Sequence, residues 1–258
     1  MGVEDLFDVA GRVVLVTGGS SGIGSMIAGG FADAGARVYI SSRKADACRA
    51  MAEEISERGW CAALPADISS QAGCELLVAQ LAARETRLDI LVNNAGANWA
   101  APLTEYPDAA WDKVLNTNVK GIFHLTRAAL PLLEAAATPG QPARVINVGS
   151  VDGLHVPILE TYAYTASKAA VHHLTRHLAR NLGPRGITVN AIAPGPFQTK
   201  MMKATLELHG EEFAQASPLG RIGEPADMAG VAIYLASRAS AWVTGVVIPV
   251  DGGLVTTQ

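Results

Sequence analysis

The feature that most constrains the fold is an alternation of short, β-branched apolar runs with longer helical stretches along the 258-residue chain. The runs in the middle of the chain are apolar almost throughout, as expected of strands buried on both faces of a parallel sheet. Seven strands are predicted, at 12–17, 37–41, 61–66, 88–93, 144–149, 187–192 and 246–250. Helices are predicted between them, among others at 44–58, 70–84, 109–137, 161–182 and 225–237.

This order predicts right-handed βαβ crossovers and a doubly wound α/β fold with a seven-stranded parallel sheet. No linker interrupts the pattern, so residues 1–258 are expected to form a single domain. The long segment 196–218 has no clear strand pattern. Because segments of that length are more often functional lids than inert loops, we predict a substrate lid there.

Composition excludes several classes of function. The net charge of -4 and the pI near 5.9 give no electrostatic reason to expect nucleic acid or an anionic membrane as partner. The longest apolar runs, such as "MAGVAIYLA", are too short to span a bilayer, and the N-terminus lacks the order of a signal peptide. Cys48, Cys61 and Cys74 are odd in number and form no CxxC motif, which favours a reducing, cytoplasmic setting without zinc.

A glycine-rich motif, "TGGSSGIG", directly follows the first strand and precedes a predicted helix. Glycines allow the backbone to approach a pyrophosphate, and a helix N-terminus presents free N–H groups to it. The motif therefore predicts a dinucleotide site that includes Gly18, Ser20, Ser21, Gly22, Ile23 and Gly24.

The end of the second strand discriminates between the two nicotinamide dinucleotides. NAD-binding chains place an acid there to bind the ribose 2′-hydroxyl. This chain has Ser42 at that position, followed by Arg43 and Lys44. A guanidinium can bind a 2′-phosphate with two hydrogen bonds, so the sequence favours NADP(H). The alternative is that the two cations only form a solvated helix start, although cations oppose the macrodipole at that end.

The stretch "ETYAYTASKAAVHHL" places Lys168 four residues after Tyr164 on a predicted helix. Residues i and i+4 share one helix face, so the two side chains are expected to be neighbours. An ammonium beside a phenol favours the phenolate, and the pair is therefore expected to lower the pKa of Tyr164 for acid/base work. Taken alone, the pair is better interpreted as a surface contact on an amphipathic helix.

With these motifs in hand, the chain resembles the short-chain dehydrogenase/reductase family from about residue 10 to residue 253. The resemblance rests on five ordered features beyond the glycine loop: "NNAG" (93–96), "LNTNV" around Asn118, "NVGS" ending at Ser150, "YTASK" (164–168), and "PG" (194–195) with "DGG" (251–253). "LDILVNNAGANW" and "YAYTASKAA" look most like bacterial NADPH-dependent β-ketoacyl reductases of the rhamnolipid-pathway type.

The resemblance implies a Rossmann-type fold and a catalytic tetrad of Asn118, Ser150, Tyr164 and Lys168. Tyr164 would be the acid/base, Lys168 its electrostatic partner, and Ser150 the donor to the substrate oxygen. Lys168 would also hold the nicotinamide ribose, and Asn118 would order a water that leads from Lys168 to solvent. Tyr162 is left as a packing residue or a wall of the substrate pocket.

Further cofactor contacts follow from the same resemblance. It implies that the remaining positions flank the adenine, line the cofactor or support its nicotinamide end. These residues are Asp67, Ile68, Asn94, Ala95, Gly96, Pro194, Gly195, Phe197 and Thr199.

The predicted reaction is NADP(H)-dependent reduction of a ketone, or oxidation of the secondary alcohol, with 3-oxoacyl thioesters as first candidates. An apolar pocket wall carries this prediction. Its residues are Trp99, Leu154, Val156, Ile158, Phe197, Met201, Met202 and Leu206. Lys200 and Lys203 could attract the phosphates of a coenzyme A or carrier-protein arm. A steroid, terpenoid or aromatic ketone would fit the same wall. The alternative from a different functional class is a regulator that binds NADP(H) and catalyses no reaction.

Three other features carry weaker expectations. His172, His173 and His177 have spacing that can bind metal, but packing is the favoured interpretation. The long Tyr-bearing helix and the last strand pack across two-fold axes in the family, which implies a homo-oligomer, most often a tetramer. Gly29 and Gly30 lie inside a helix at a cost of about 1 kcal/mol each relative to alanine, and close helix–sheet packing would explain them.

Overall fold

The computed structural model describes residues 2–199 and 202–257. Within these ranges, seven strands form one sheet in the order β3-β2-β1-β4-β5-β6-β7, and every neighbouring pair is parallel. The strands are β1 (Val13–Thr17), β2 (Arg37–Ser41), β3 (Trp60–Ala63), β4 (Ile90–Asn93), β5 (Ala143–Val148), β6 (Ile187–Pro194) and β7 (Val247–Val250). The predicted doubly wound parallel sheet is confirmed.

Helices cover both faces of this sheet. The α-helices of the described ranges are α1 (Val3–Phe7), α2 (Gly22–Asp33), α3 (Ala45–Ser56), α4 (Gln71–Ala82), α5 (Asp108–Leu115), α6 (Gly121–Ala136), α7 (Tyr162–Leu182), α8 (Lys203–Ala216) and α9 (Pro225–Ala236). Short 3₁₀ turns lie at Leu103–Glu105, Val151–Gly153, Gly183–Arg185 and Arg238–Ser240, and one π-helical turn lies at Asn116–Lys120.

The strand order creates a crevice between β1 and β4. The chain moves outward from β1 to β3 and then returns to place β4 on the other side of β1. Loops that leave the carboxyl ends of β1 and β4 therefore diverge to opposite sides of the sheet. In open α/β sheets, ligands bind at this switch point. Thr17 and Asn93 end these two strands, so the glycine loop and the "NNAG" segment meet there.

The central strands are buried because helices cover them from both sides. Every residue of β1, β4, β5 and β6 is buried. One core cluster joins the sheet to α2, α3 and α9, and a second joins it to α4, α6 and α7. Burying one Val, Leu or Ile side chain contributes about 1.5–3 kcal/mol, so these two layers supply most of the driving force for the fold.

The glycine pair in α2 has a packing reason that differs from the predicted one. A Cβ added at Gly30 would lie 2.4 Å from the Cβ of Ala229 on α9, and one at Gly29 would lie 2.3 Å from Nη2 of Arg58. Gly30 therefore permits close contact between two helices, α2 and α9. The expectation of close helix–sheet packing was wrong on this point.

The predicted helix at 109–137 forms as three consecutive segments, α5, the π turn and α6. The predicted lid segment at 196–218 contains no strand among its described residues and is mainly the helix α8. Just beyond this segment, the Arg221 guanidinium donates two hydrogen bonds to Asp227 of α9, at 2.6 and 2.9 Å. Among the described helices, none is long and apolar enough to cross a membrane.

Candidate active site

The glycine loop is held tightly against the segment that follows β4. Gly18 has φ of +66°, a conformation that favours glycine, and a Cβ there would lie 2.7 Å from Nδ2 of Asn94. A Cβ at Gly24 would lie 2.3 Å from the carbonyl oxygen of Gly18. Only glycine fits both positions, because Gly18 contacts the segment after β4 and Gly24, in the first turn of α2, contacts Gly18.

Thr17 joins the two strand ends of the crevice, a role that the sequence reasoning missed. Its Oγ1 accepts hydrogen bonds from the backbone N–H groups of Asn94 (3.0 Å) and Ala95 (3.1 Å). In return, Nδ2 of Asn94 donates to the Thr17 carbonyl at 2.9 Å and to the Gly18 carbonyl at 3.3 Å. These bonds set the position of Gly96, which is exposed at the edge of the crevice.

The N-terminus of α2 can receive an anion. Ser21 stands at the N-cap, yet its side chain makes no capping hydrogen bond, so the first N–H groups of the helix have no side-chain partner. Ser20 is half-buried and Ser21 is exposed beside this turn, while Ile23 packs against the core below it. Thr199, at the start of the lid, approaches to 3.3 Å of a Cβ placed at Gly22. The arrangement fits the pyrophosphate of a dinucleotide.

The second anion position lies after β2. Ser42 is half-buried and donates to the carbonyl oxygen of Lys44 at 3.3 Å. Arg43 and Lys44 are exposed, and neither forms an ion pair with a carboxylate in the described part of the chain. Lys44 is also the N-cap residue of α3. Two cations without carboxylate partners at the end of β2 fit a ribose 2′-phosphate.

The other predicted cofactor residues lie in the loop after β3 and at the end of β6. Asp67 is exposed, its Oδ1 accepts from the backbone N–H of Ser69 at 3.0 Å, and Ile68 is buried. Pro194 is buried at the end of β6, and Gly195 follows it half-buried.

Phe197 occupies a different environment from the open wall that was predicted for it. Its side chain is 1% exposed, and its ring lies 2.3 Å from a Cβ placed at Gly223. The ring therefore belongs to the core below the lid, and its placement in the substrate wall was wrong. Any contact that Phe197 makes with a cofactor comes from its backbone.

Tyr164 and Lys168 lie one turn apart on α7, as their spacing predicts. Nζ of Lys168 is 5.4 Å from the ring centroid of Tyr164 and donates to the Val148 carbonyl at 2.8 Å. A Cβ at Gly96 would lie 3.9 Å from this Nζ. The pair therefore faces the end of β5 and the "NNAG" segment, so the surface-contact interpretation was wrong.

The electrostatics of Tyr164 differ from the prediction. Burial raises its pKa to about 12, a side-chain hydrogen bond with Ser150 acts in the opposite direction, and the charge of Asp152 raises the pKa further. Burial also lowers the pKa of Lys168 to about 8. The expected lowering of the Tyr164 pKa by Lys168 does not occur, because loss of solvent has the largest effect on the pKa of the phenol. Tyr164 is a protonated phenol at neutral pH.

Ser150 reaches the same point from the end of β5. It is 7% exposed and precedes the 3₁₀ turn Val151–Gly153, and its Oγ accepts from the backbone N–H of Asp152 at 3.1 Å. Because this contact uses an acceptor position, the hydroxyl hydrogen remains available for donation. Ser150 and Tyr164 can therefore hydrogen-bond one oxygen atom together.

Asn118 is directed inward by the π turn between α5 and α6. Such turns are frequent at functional sites because the extra residue reorients one side chain. Its Nδ2 donates to the Ala97 carbonyl (3.0 Å) and to Oγ of Ser167 (2.9 Å), while its Oδ1 accepts from the Ala97 N–H (2.8 Å). Oγ of Ser167 in turn donates to the Tyr164 carbonyl at 2.6 Å. Asn118 thus links "NNAG" to α7, and the sequence reasoning missed Ser167.

Tyr162 is a packing residue. Its hydroxyl donates to Oε1 of Glu160 at 2.7 Å, and its ring meets that of Tyr106 edge to face at 5.3 Å. Tyr106 also accepts from the Ala163 N–H at 3.2 Å and donates to the Trp99 carbonyl at the same distance. The two tyrosines of the motif are therefore separated by the helix: one faces Lys168, the other faces Tyr106.

The three histidines of α7 have different environments. His172 is buried, and burial lowers its pKa to about 4, whereas His173 and His177 are exposed. In the part of the chain that is described, no group of three metal-ligating side chains is close enough to hold an ion.

Most described residues of the predicted apolar wall are exposed or half-buried. Leu154, Val156 and Ile158, in the loop after Ser150, are 44%, 87% and 99% exposed, and Trp99 is 39% exposed. Met202 and Leu206 are half-buried at the start of α8. Lys203 is exposed, its Nζ 3.9 Å from Oε1 of Glu207. Met201 and Lys200 lie outside the described residues.

Comparisons with known proteins identify relatives of the whole chain. A family model described as enoyl-(acyl carrier protein) reductase matches residues 18–255. A curated relative from Pseudomonas aeruginosa, the rhamnolipids biosynthesis 3-oxoacyl-[acyl-carrier-protein] reductase, is 49% identical over 96% of this chain and 97% of its own length. The chain belongs to the short-chain dehydrogenase/reductase family.

Two further relatives show the range of this family. The solved Pseudomonas aeruginosa RhlG/NADP active-site complex is 48% identical and superposes with a TM-score of 0.93, over 97% of this chain and 98% of that one. A galactitol 2-dehydrogenase (L-tagatose-forming) from Cereibacter sphaeroides is 38% identical over 98% of both chains. The names of the two curated relatives include both acyl and sugar-alcohol substrates, and the acyl relative is more similar to this chain, at 49% against 38% identity.

Proposed function

We propose that this protein is an NADP(H)-dependent ketone reductase with an apolar substrate, and that 3-oxoacyl thioesters are the first candidates. The observation that carries the proposal is the position of the Tyr164 phenol one turn from Lys168, at the crevice where the glycine loop meets "NNAG". A phenol in this position can give its proton to a carbonyl oxygen as that oxygen gains negative charge, which is the proton transfer that ketone reduction requires.

The cofactor contacts follow from the two anion positions. When bound, NADPH supplies a hydride to the carbonyl carbon of the substrate. The glycine loop and the N-terminus of α2 hold the pyrophosphate, and Arg43 with Lys44 holds the 2′-phosphate. The solved Pseudomonas aeruginosa relative is a complex with NADP, which supports this assignment.

Each residue of the tetrad has one task in the proposed reaction. Tyr164 gives its proton to the substrate oxygen as that oxygen gains negative charge, and Ser150 donates a hydrogen bond to it. Lys168 offers its ammonium near the resulting phenolate, 5.4 Å from the ring centroid. Asn118 keeps α7 and "NNAG" in register through Ala97 and Ser167. The product is the secondary alcohol, and solvent returns the proton to Tyr164.

Two observations and one general argument support an apolar substrate. The loop after Ser150 presents Leu154, Val156 and Ile158 with much of their surface exposed, and Trp99 stands exposed after "NNAG". A sugar would instead require several buried polar groups to match its hydroxyls. The name of the relative from Pseudomonas aeruginosa points to 3-oxoacyl groups on a carrier protein. A steroid, terpenoid or aromatic ketone remains the alternative occupant of the same wall.

A substrate series tests this function. Initial rates of NADPH oxidation are measured with acetoacetyl and longer 3-oxoacyl thioesters. We expect kcat/KM to rise with chain length by up to about fourfold per methylene, since each buried methylene contributes about 0.8 kcal/mol.

Two control substrates make the test decisive. A keto-sugar lacks the apolar chain, and a 2-enoyl thioester carries the chain without the ketone. A flat chain-length profile or a faster reaction with the keto-sugar would overturn the apolar reading. A faster reaction with the enoyl thioester would replace ketone reduction by double-bond reduction, the activity that the family description names.

The finer proposals concern assembly, the lid and location. We propose a homotetramer, because β7 forms a half-exposed sheet edge and Trp242 beside it is fully exposed, so an apolar edge needs cover. Light scattering at micromolar concentration should give four times the mass of one chain, and a monomer would contradict this.

Residues 196–218 are proposed as the substrate lid. The three free cysteines fit a reducing cytoplasm.

A further inference from the structure

Asp152 lies between two groups of the proposed tetrad, and no motif pointed to it. Its backbone N–H donates to Oγ of Ser150 at 3.1 Å. The next residue, Gly153, rests on α7, because a Cβ there would lie 2.7 Å from the carbonyl carbon of Lys168 and 2.8 Å from the nitrogen of Ala169. The turn that carries Asp152 therefore connects Ser150 directly to the helix at Lys168.

Lys168 needs a charged neighbour. Its side chain is 5% exposed, and among the described residues its ammonium makes one hydrogen bond, to the Val148 carbonyl at 2.8 Å. A buried charge is costly unless it is paired, because the protein interior solvates a charge less well than water does. Burial lowers the pKa of Lys168 to about 8, and the negative charge of Asp152 acts against this lowering.

The groups that face Asp152 come from two elements. Burial raises the pKa of Asp152, the charges of His155 and of Lys168 on α7 act against this, and the charge of Asp152 raises the pKa of Tyr164. From the loop that follows, Nε2 of His155 lies 3.6 Å from Oδ1 of Asp152, and the two side chains are 39% and 26% exposed. His172 also packs against Gly153, but burial lowers its pKa to about 4 and keeps it neutral.

We propose that Asp152 is a positioning residue whose carboxylate keeps Lys168 charged beside Tyr164, and thereby sets the alkaline limit of the reaction. The inference rests on the proposed function, since it assumes that Tyr164 donates the proton. If Asp152 only held the turn in place, it would do so through its backbone N–H, which donates to Ser150 and which asparagine would keep. Asp152→Asn therefore separates the charge of the side chain from the geometry of the turn.

The first arm of the test needs no turnover. The chain has six lysines, so ¹³Cε-labelled lysine signals can be titrated one by one in the full-length protein, and Lys168→Met assigns the relevant signal. We expect the Lys168 titration to move to lower pH in Asp152→Asn, because removing a negative charge destabilises the ammonium. Asp152→Glu keeps the charge and should stay near the wild-type midpoint. An unshifted midpoint in Asp152→Asn would overturn the inference.

The second arm is the pH profile of kcat/KM for NADPH-dependent ketone reduction. Deprotonation of the coupled Tyr164–Lys168 pair limits the rate at high pH, and Asp152→Asn should move that limb to lower pH. We expect about three- to tenfold lower kcat/KM on the alkaline limb, with a plateau near that of wild type. Glu160→Gln is the matched control, because Glu160 is an exposed carboxylate of the same loop that bonds Tyr162 and the Leu103 N–H.

The outcomes separate the two proposals. If wild type reduces ketones and Asp152→Asn changes neither the alkaline limb of kcat/KM nor the titration midpoint of Lys168, then Asp152 does not have the proposed role. The proposal of ketone reduction would still stand. A shifted Lys168 midpoint in a protein that reduces no ketone removes the proposed function, and with it the role of Asp152 in that reaction. If Asp152→Asn does not fold, Asp152→Ser provides the neutral variant for the same two measurements.

Discussion

Replacing Tyr164 by phenylalanine is expected to lower kcat for ketone reduction by about 10²- to 10⁴-fold, the usual contribution of a positioned general acid. The ring continues to pack on α7, and the variant loses only the hydroxyl, whose hydrogen bond with Ser150 and raised pKa make it the proton donor. The dissociation constant for NADPH, measured by titration of protein fluorescence, should change little. Retention of more than a few per cent of the wild-type kcat would falsify the assignment of Tyr164.

The same sequence motif supplies the control. Tyr162→Phe removes a hydroxyl that is bound to Glu160 and faces Tyr106, away from Lys168. We expect its kcat to remain within about twofold of wild type, because no group of the tetrad contacts it. A loss in Tyr162→Phe as large as that in Tyr164→Phe would mean that both substitutions act through the fold of α7, and the comparison would then say nothing for acid catalysis by Tyr164.

Replacing Arg43 by alanine is expected to lower kcat/KM for NADPH by about 10- to 100-fold and to leave kcat/KM for NADH nearly unchanged. Hydrogen bonds to a charged group contribute more than neutral ones, and the 2′-phosphate is the only part by which the two cofactors differ. Arg43 is exposed and has no carboxylate partner among the described residues, so its loss should not destabilise the fold. Wild type should prefer NADPH.

Arg49→Ala is the matched control for this prediction. Arg49 is an exposed arginine on α3, the helix that follows Arg43, and it pairs with Asp46 at 2.9 Å. Its removal changes the net charge by the same amount but should not alter the ratio of the two cofactors. If wild type prefers NADH, or if both arginine variants change the ratio of kcat/KM for NADPH to that for NADH equally, then Arg43 does not bind the 2′-phosphate.

Much of the fold could be predicted because periodicity and burial are properties of local sequence. β2 was predicted with its exact bounds, and the other strands within a few residues, since apolar β-branched runs end where loops begin. β3 was the least accurate, predicted at 61–66 and observed at Trp60–Ala63, because Leu64 and Ala66 continue the apolar pattern beyond the last ladder pair. Helix α7 was found by its spacing, which also placed Tyr164 beside Lys168.

The tertiary structure decided the electrostatics and the contacts between distant segments. Spacing alone suggested that Lys168 would lower the Tyr164 pKa, but burial, which no local pattern reports, raises it to about 12. Phe197 looked like a pocket residue and is buried against Gly223, and Gly30 proved to serve the contact with Ala229. The contacts of Thr17 and Ser167, which lie inside motifs, and of Asp152, which lies in none, were missed because their partners include residues on other strands and loops.

The sequence by itself therefore determined the parallel α/β architecture, the glycine loop and the Tyr–Lys pair, since each depends on residues within one or two turns of the chain. Only the folded chain decided which side chains lose solvent, which carboxylate acts on Lys168, and how Asn118 enters the site through a π turn. Desolvation and long-range packing are sums over neighbours from many segments. Sequence motifs identify the reacting groups, whereas the three-dimensional environment determines their protonation.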